Sequence, residues 1–390
     1  MTKIKLQHII FLIFINSCIL FSQKNNGFIN SPENDSIIKK IGVNLSISFK
    51  ENKVQLFKKY FNTNEFIHKN IIIEKNNKTL IKFNNKHKRD FIKKINSFPQ
   101  EICNDIKQGD FYNFVSYHFD PINNTYHLIF RYYSQVYGID YHDYKIVKNN
   151  NRINIDDIYI FSLSQKISEV LKLYYLGELP KNILAKNKNS NEFKYTLMLK
   201  NFVDSKNNNE IEKAYRHISN LNNSFNQKSR LAAVLKLKTS ENLNEEAYFE
   251  SMEDILENFK KDPSINLNAL NYHMQNMDFD NAYKCIINIE NYTKDTFLDF
   301  EKANLYYQSK DYDSAKMYYQ NMIKNYPFFH LPKFSLLTIY EKTNETENAI
   351  QVLNIILNTS SFKKAEIIKK VKEQLPLTSN SIEFKEWCKN

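Results

Sequence analysis

The stretch FLDFEKANLYYQSKDYDSAKMYYQNMIKNYP, residues 297–327, decides how the second half of the chain is read. Ala303 and Tyr306 stand on one face of a first segment, and Lys310-Asp311-Tyr312 makes a turn. Ala315 and Tyr319 lie four apart on a second segment, which Tyr326-Pro327 stops, since proline has no N–H with which to continue a helix. The same spacing recurs outward from this stretch. Ala214, Ala247, Ala282, Ala315 and Ala349 are separated by 33, 35, 33 and 34 residues. Ala269, Ala303 and Leu337 recur 34 apart, as do Tyr272, Tyr306 and Tyr340. Small residues must recur where two helices cross closely, and aromatics where the next helical pair lays its face. A period of this length belongs to helix–turn–helix units that bury their apolar faces only by stacking on one another.

Flanking copies carry the pattern more loosely. Residues 330–362 keep Leu337, Tyr340, Ala349 and Leu353 without a closing proline, and 264–295 keep Ala269, Tyr272, Phe279 and Ala282. Residues 228–262 keep Ala247 and the stop at Asp262-Pro263, and 194–226 keep Ala214 with Tyr215 and Ile218. Over about half of the chain the pattern resembles the tetratricopeptide repeat (TPR), strongly in one copy and in degenerate form in four. The resemblance implies an all-α solenoid of about five hairpins over 193–362, closed by capping helices over 363–390 in which Trp387, the one tryptophan, is the anchor. Its framework is Ala214, Ala247, Ala282, Ala303, Tyr306, Ala315, Tyr319, Pro327, Tyr340 and Ala349. TPR arrays hold an extended peptide or partner helix in a concave groove lined by the first helix of each hairpin. Asn304, Gln308 and Lys333, exposed polar neighbours of the framework, are therefore the expected groove residues.

The amino terminus carries an address. Lys3 and Lys5 precede an apolar run from Ile9 to Phe21, broken only by Asn16-Ser17-Cys18, of a length that suits the core of a secretory signal peptide. Cleavage after Ser22 is the preferred reading, giving an exported, periplasmic or secreted protein that is soluble once mature. Ile15-Asn16-Ser17-Cys18 also has the look of a lipobox, with Cys18 as a lipid-bearing first residue, although the following Ile19-Leu20-Phe21 is apolar where lipoproteins turn polar. A retained anchor is the third possibility.

Between the address and the repeats, residues 31–176 are built differently. Ser36 to Tyr60 and Lys88 to Phe98 have helical spacing; then the period changes to two. Phe111 to Phe119, Tyr126 to Tyr133, Tyr141 to Val147 and Ile153 to Phe161 are rich in aromatic and β-branched residues. Asp120-Pro121-Ile122-Asn123-Asn124, Gly138 and Asn149-Asn150-Asn151 separate them as turns of an antiparallel meander. Tyr126, Leu128, Phe130 and Tyr132 share one face, which is expected to be buried, while His127 and Arg131 lie on a partly polar one. Helices packed on a curved antiparallel sheet make an α+β domain that looks like the NTF2-like or cystatin-like folds. The runs 128–133, 141–144 and 155–160 resemble domains that precede TPR arrays in exported bacterial proteins. A linker over 177–192 follows, with Gly177 ending a helix and Lys186 to Asn191 nearly all Lys, Asn and Ser.

Chemistry is sparsely signalled. The ionisable candidates in the first domain are His118, His127, His142, Asp143, Asp156 and Asp157. Strand parity puts Asp156 with Ile158 and Ile160, and Asp157 with Ile155, Tyr159 and Phe161, so either carboxylate has a route to a desolvated seat as a general base; the plainer reading pairs them with Lys145 or Arg131. His127 and His142 on adjacent strands, with Asp143 nearby, have residue types that suit zinc, without a diagnostic spacing. No GxGxxG, Walker loop, HExxH or GxSxG occurs, and five glycines leave little with which to build a phosphate cradle. Neither a catalytic residue, a cofactor nor a metal is assigned on these grounds. The net charge of +11 comes from lysines scattered among asparagines, and Lys86-His87-Lys88-Arg89 is the one compact basic run, so nucleic acid is not expected as partner. Loose association with an acidic envelope surface remains open. Cys103, Cys285 and Cys388 are far apart, and Cys285, three after Ala282, suits a buried helical position. The leading expectation is an exported, non-catalytic protein-binding scaffold. The alternatives are a ligand-binding or enzymatic NTF2-like domain with the repeats as recruiting arm, or a structural envelope role.

Overall fold

In the computed structural model, residues 27–70, 78–149, 152–179, 191–224 and 229–389 are described. The signal segment 1–22, with Cys18 and Ser22, and most of 177–192 lie outside them. The chain divides into two compact units, the first ending at Asn258 and the second beginning at Phe259.

Among the described residues the first unit opens with helices α1 (Pro32–Lys50), α2 (Gln55–Tyr60), α3 (Thr63–Asn70) and α4 (Lys78–Lys107). Ser31 caps α1 by accepting a hydrogen bond from the Asn34 amide, with Pro32 in the first turn, where its missing N–H costs nothing. The helix expected over 88–98 runs instead through Pro99. Proline there deprives the Ile95 carbonyl of its donor, and burial of Ile95, Ile102 and Cys103 around it offsets that loss.

A meander follows: β1 (Phe111–Asp120), β2 (Thr125–Ser134), β3 (Gly138–Asn149), β4 (Arg152–Ile160) and the short β5 (Gln165–Lys166), antiparallel and in sequence order. Asp120 organises the first turn, its carboxylate accepting from the amides of Ile122 and Asn123, while Asn124 takes a left-handed φ of 52°. One face carries Tyr112, Tyr126, Leu128, Phe130, Tyr144, Ile146, Ile155 and Ile158 into a core shared with Ile38, Leu45, Phe49 and Phe57 of the helices. Tyr112 stacks on Phe130, and Phe49 meets Tyr112 edge-on. Gly42 of α1 is required here: a Cβ would stand 2.4 Å from the Phe114 ring.

The opposite face differs from expectation. Ile129, Arg131, Tyr133, Tyr141, Asp143 and Phe161 are all buried, so it is not a solvated polar surface. On it His127 is paired with Asp143.

Among the described residues the unit continues with α5 (Ile167–Glu178), α6 (Asn191–Asn207), α7 (Ile211–Ser224), α8 (Arg230–Ser240) and α9 (Glu245–Phe259, whose last residue begins the second unit). Gly177 lies inside α5 and does not end it. Leu199, Phe202, Ala214, Ile218, Leu221, Ala232 and Leu235 share one apolar cluster with Leu171, Tyr175 and the sheet. Arg230 also grips Glu169 with two hydrogen bonds of 2.9 and 2.8 Å. Helices between Leu199 and Leu235 therefore share the core of the sheet, and the division into two units falls after Asn258.

The second unit is helical: α10 (Pro263–Gln275), α11 (Phe279–Thr293), a 3₁₀ turn (Thr296–Leu298), α12 (Asp299–Gln308), α13 (Tyr312–Asn325), α14 (Leu331–Thr343), α15 (Thr346–Thr359), α16 (Lys364–Gln374), α17 (Pro376–Asn380) and α18 (Ile382–Lys389). Successive helices from α10 to α15 pack on one another, and α18 lies against α15. One turn recurs: a left-handed residue (Met277, Lys310, Asn344) precedes an acidic one (Asp278, Asp311, Glu345), whose carbonyl accepts from the amide of a fully buried alanine (Ala282, Ala315, Ala349). Asn209, Glu210 and Ala214 repeat the arrangement in the first unit. Ala247 does not; its amide bonds to the Asn244 side chain, one residue out of phase, and it is 9% exposed where the other four are 0% exposed. That slip accounts for the unequal spacings of 33 and 35 on either side of it. Trp387 is buried against Phe384, and its indole N–H donates to Asn354.

Candidate functional site

Strand register decides which ionisable residues of the sheet meet. His118 of β1 is the direct partner of His127 on β2. Across β2 and β3, His127 faces Lys145, and Asp143 faces Ile129, two residues along. His118, His127 and Asp143 thus converge on one face from three neighbouring strands. The imidazoles stack with ring centroids 4.8 Å apart and planes 8° from parallel. His127 Nδ1 lies 2.7 Å from Asp143 Oδ1. Each residue offers a donor atom, and these three atoms lie within 4.8 Å of one another. Burial, and then the neighbouring His127, push the pKa of His118 below its ordinary 6.5, favouring the neutral ring. Lys145, the cross-strand partner of His127, is 3.6 Å from Asp156.

His142 is not part of this group. The expected approach of His127 and His142 fails because His142 pairs with Phe130 and so lies on the opposite face. There its Nδ1 is 3.0 Å from the Tyr112 hydroxyl, which is 2.8 Å from that of Tyr144. Burial lowers the pKa of His142 and raises that of both tyrosines, so this is a neutral network inside the core.

Asp156 and Asp157 also depart from the expected parity. A bulge puts Ile155 opposite Ile146 and Asp157 opposite Lys145, leaving Asp156 as the extra residue. Asp156 pairs with Lys69 at 2.5 Å and with Lys145. Asp157 receives hydrogen bonds from the Ser168 hydroxyl and amide in the first turn of α5, and burial raises its pKa. An apolar cleft of about 350 Å³ does exist in this unit, lined by Phe57, Phe61, Phe98, Ile158, Leu171 and Tyr174. Neither aspartate lines it.

In the second unit the expected groove residues separate. Gln308 is exposed. Asn304 is half-buried, its Oδ1 accepting from the Tyr319 hydroxyl at 2.8 Å, which ties α12 to α13. Lys333, expected on the surface, is 0% exposed. Its ammonium donates to the Pro327 carbonyl and the Thr359 hydroxyl, so it fastens α14 to the end of α15 and reaches no partner. Burial pushes its pKa down. Sequence reasoning passed over a nearby cleft of about 180 Å³ walled by Phe334 and Leu337 of α14, Leu353 and Ile356 of α15, and Ile367 and Val371 of α16. Phe334 is 37% exposed, and Glu366 and Lys370 stand among the lining residues. The signal available was the apolar pair Ile367 and Val371 in the predicted cap; reading them as closure hid their share in an opening.

Burial raises the Cys285 pKa to about 11, and Cys103, Cys285 and Cys388 are free thiols. Among the described residues, no helix is long and apolar enough to cross a membrane. No protein-family model matches the chain, and no characterised protein matches it significantly.

Proposed function

We propose that this chain is an exported, non-catalytic binding scaffold whose TPR-like helical hairpins hold an apolar segment of a partner protein or peptide. The observation that carries this reading is the recurrent turn: a left-handed residue, an acidic cap and a fully buried alanine at 277–282, 310–315 and 344–349. Identical small contacts between successive helices are the means by which a solenoid is assembled, and solenoids act through the extended surface that stacking leaves open. The cleft beside Phe334 supports the reading further. It is apolar, partly open and edged by charged side chains, as suits an anchoring side chain of a bound peptide. The contact is assigned to α14–α16 and no longer to Asn304 and Lys333.

The test is selection of peptides from a random display library on the full chain. Enriched peptides should share an aromatic or large aliphatic anchor, and Phe334→Ala and Thr338→Arg should each weaken their binding tenfold or more. Absence of enrichment, or binding indifferent to both substitutions, removes the support for this site.

A further inference from the structure

We propose that His118, His127 and Asp143 form a binding site for a divalent first-row transition metal ion of the zinc class. Two imidazoles and a carboxylate are the donor set that zinc takes at sites with three protein ligands, where the fourth position is left to water. The three residues come from three consecutive strands, and their donor atoms lie within 4.8 Å of one another. Around a tetrahedral zinc with bonds of about 2.1 Å, ligand atoms stand about 3.4 Å apart. Closing that difference asks for side-chain rotation on strands whose register is already set. His118 and His127 are direct cross-strand partners, so their Cα separation already suits a shared ligand, and binding one ion turns the rings out of their parallel stack. Asp143 Oδ1 already stands 2.7 Å from His127 Nδ1.

Burial grades across the group in a useful direction. The Asp143 side chain is 5% exposed and that of His127 is 18% exposed, which puts the carboxylate at the floor and the imidazoles toward solvent. An ion entering from the imidazole side meets the anionic ligand last and keeps an outer position for water. Because the ligands sit on β1, β2 and β3, the metal adds a cross-link through side chains to strands already joined through their backbones. An ion that binds the folded sheet and not the unfolded chain stabilises the fold by mass action.

The experiment titrates zinc chloride into the chelator-stripped full chain, in competition with a chromophoric chelator, and follows the melting temperature in parallel. The expected result is one equivalent per chain and a rise in melting temperature. His118→Ala, His127→Ala and Asp143→Asn should each weaken binding tenfold or more, while His68→Ala, which removes an exposed histidine of α3, should leave it unchanged. Circular dichroism of each variant separates loss of ligand from loss of fold. Cobalt(II) on the unsubstituted chain gives a readout independent of any variant: an intense tetrahedral visible spectrum is expected. No saturable equivalent, a weak octahedral spectrum, or zinc binding that persists in folded variants would overturn the assignment.

Discussion

The sheet of the first unit and the helical pairs of the second solve the same problem at different ranges. In the second unit the helical pairs join neighbours in sequence: Asn304 and Tyr319 meet across one short turn. In the sheet, His118, His127 and Asp143 meet because two hairpins set the register, and a slip of one residue would send any of them to the other face. Local contacts make a framework that repeats; non-local ones make a cluster that occurs once. The repeated framework suits a surface, and the single cluster suits a site.

The largest expected effect tests the non-local half. Phe130 is fully buried between Tyr112 and Tyr144, so Phe130→Ala should cost about 3–5 kcal/mol, measured by urea denaturation. Hydrogen exchange should rise across β1 to β4 together; a rise confined to β2 would break the contrast drawn above. Ala303→Leu places three extra carbons in a closed helix crossing, at a cost of up to about 3 kcal/mol. Its exchange changes should stay within α10 to α15. Trp387→Ala removes the Phe384 contact and the bond to Asn354, for about 2 kcal/mol, below the range of a fully buried aromatic because Trp387 keeps 8% of its surface exposed. Fraying should reach α15 and stop.

The smallest effect is on pH. His118 and His142 both have folded pKa values lowered below 6.5, so the unfolded chain binds protons more readily than the folded one. Their contribution to stability is complete above 6.5 and is lost as pH falls from there through the folded values. His142→Asn, which keeps an acceptor for Tyr112, should flatten the fall in melting temperature between neutral and mildly acidic pH. An unchanged profile would show that His142 does not titrate on unfolding.

Four strands were legible from residues alone because alternation and turn chemistry are local; Asp120 even makes the expected turn. Helix pairs at 34-residue spacing were legible for the same reason. What the sequence concealed was partnership. The bulge opposite Lys145 inverts the parity of Asp156, and pairing with Phe130 removes His142 from His127. Lys333 read as a surface residue because lysine usually is one, yet here three acceptors close around its ammonium.

By itself, then, the sequence determined the elements: a meander, its turns, helical pairs with small residues at their crossings. Periodicity is a property of a few consecutive residues, and it survives whatever the rest of the chain does. Only the tertiary structure decided that His118 joins His127 and Asp143, that Phe202, Ala214 and Leu235 share the core of the sheet, and that Ile367 and Val371 help to line a cleft. Each of those outcomes depends on register or docking between segments far apart in the chain, and no local pattern encodes a distance across space.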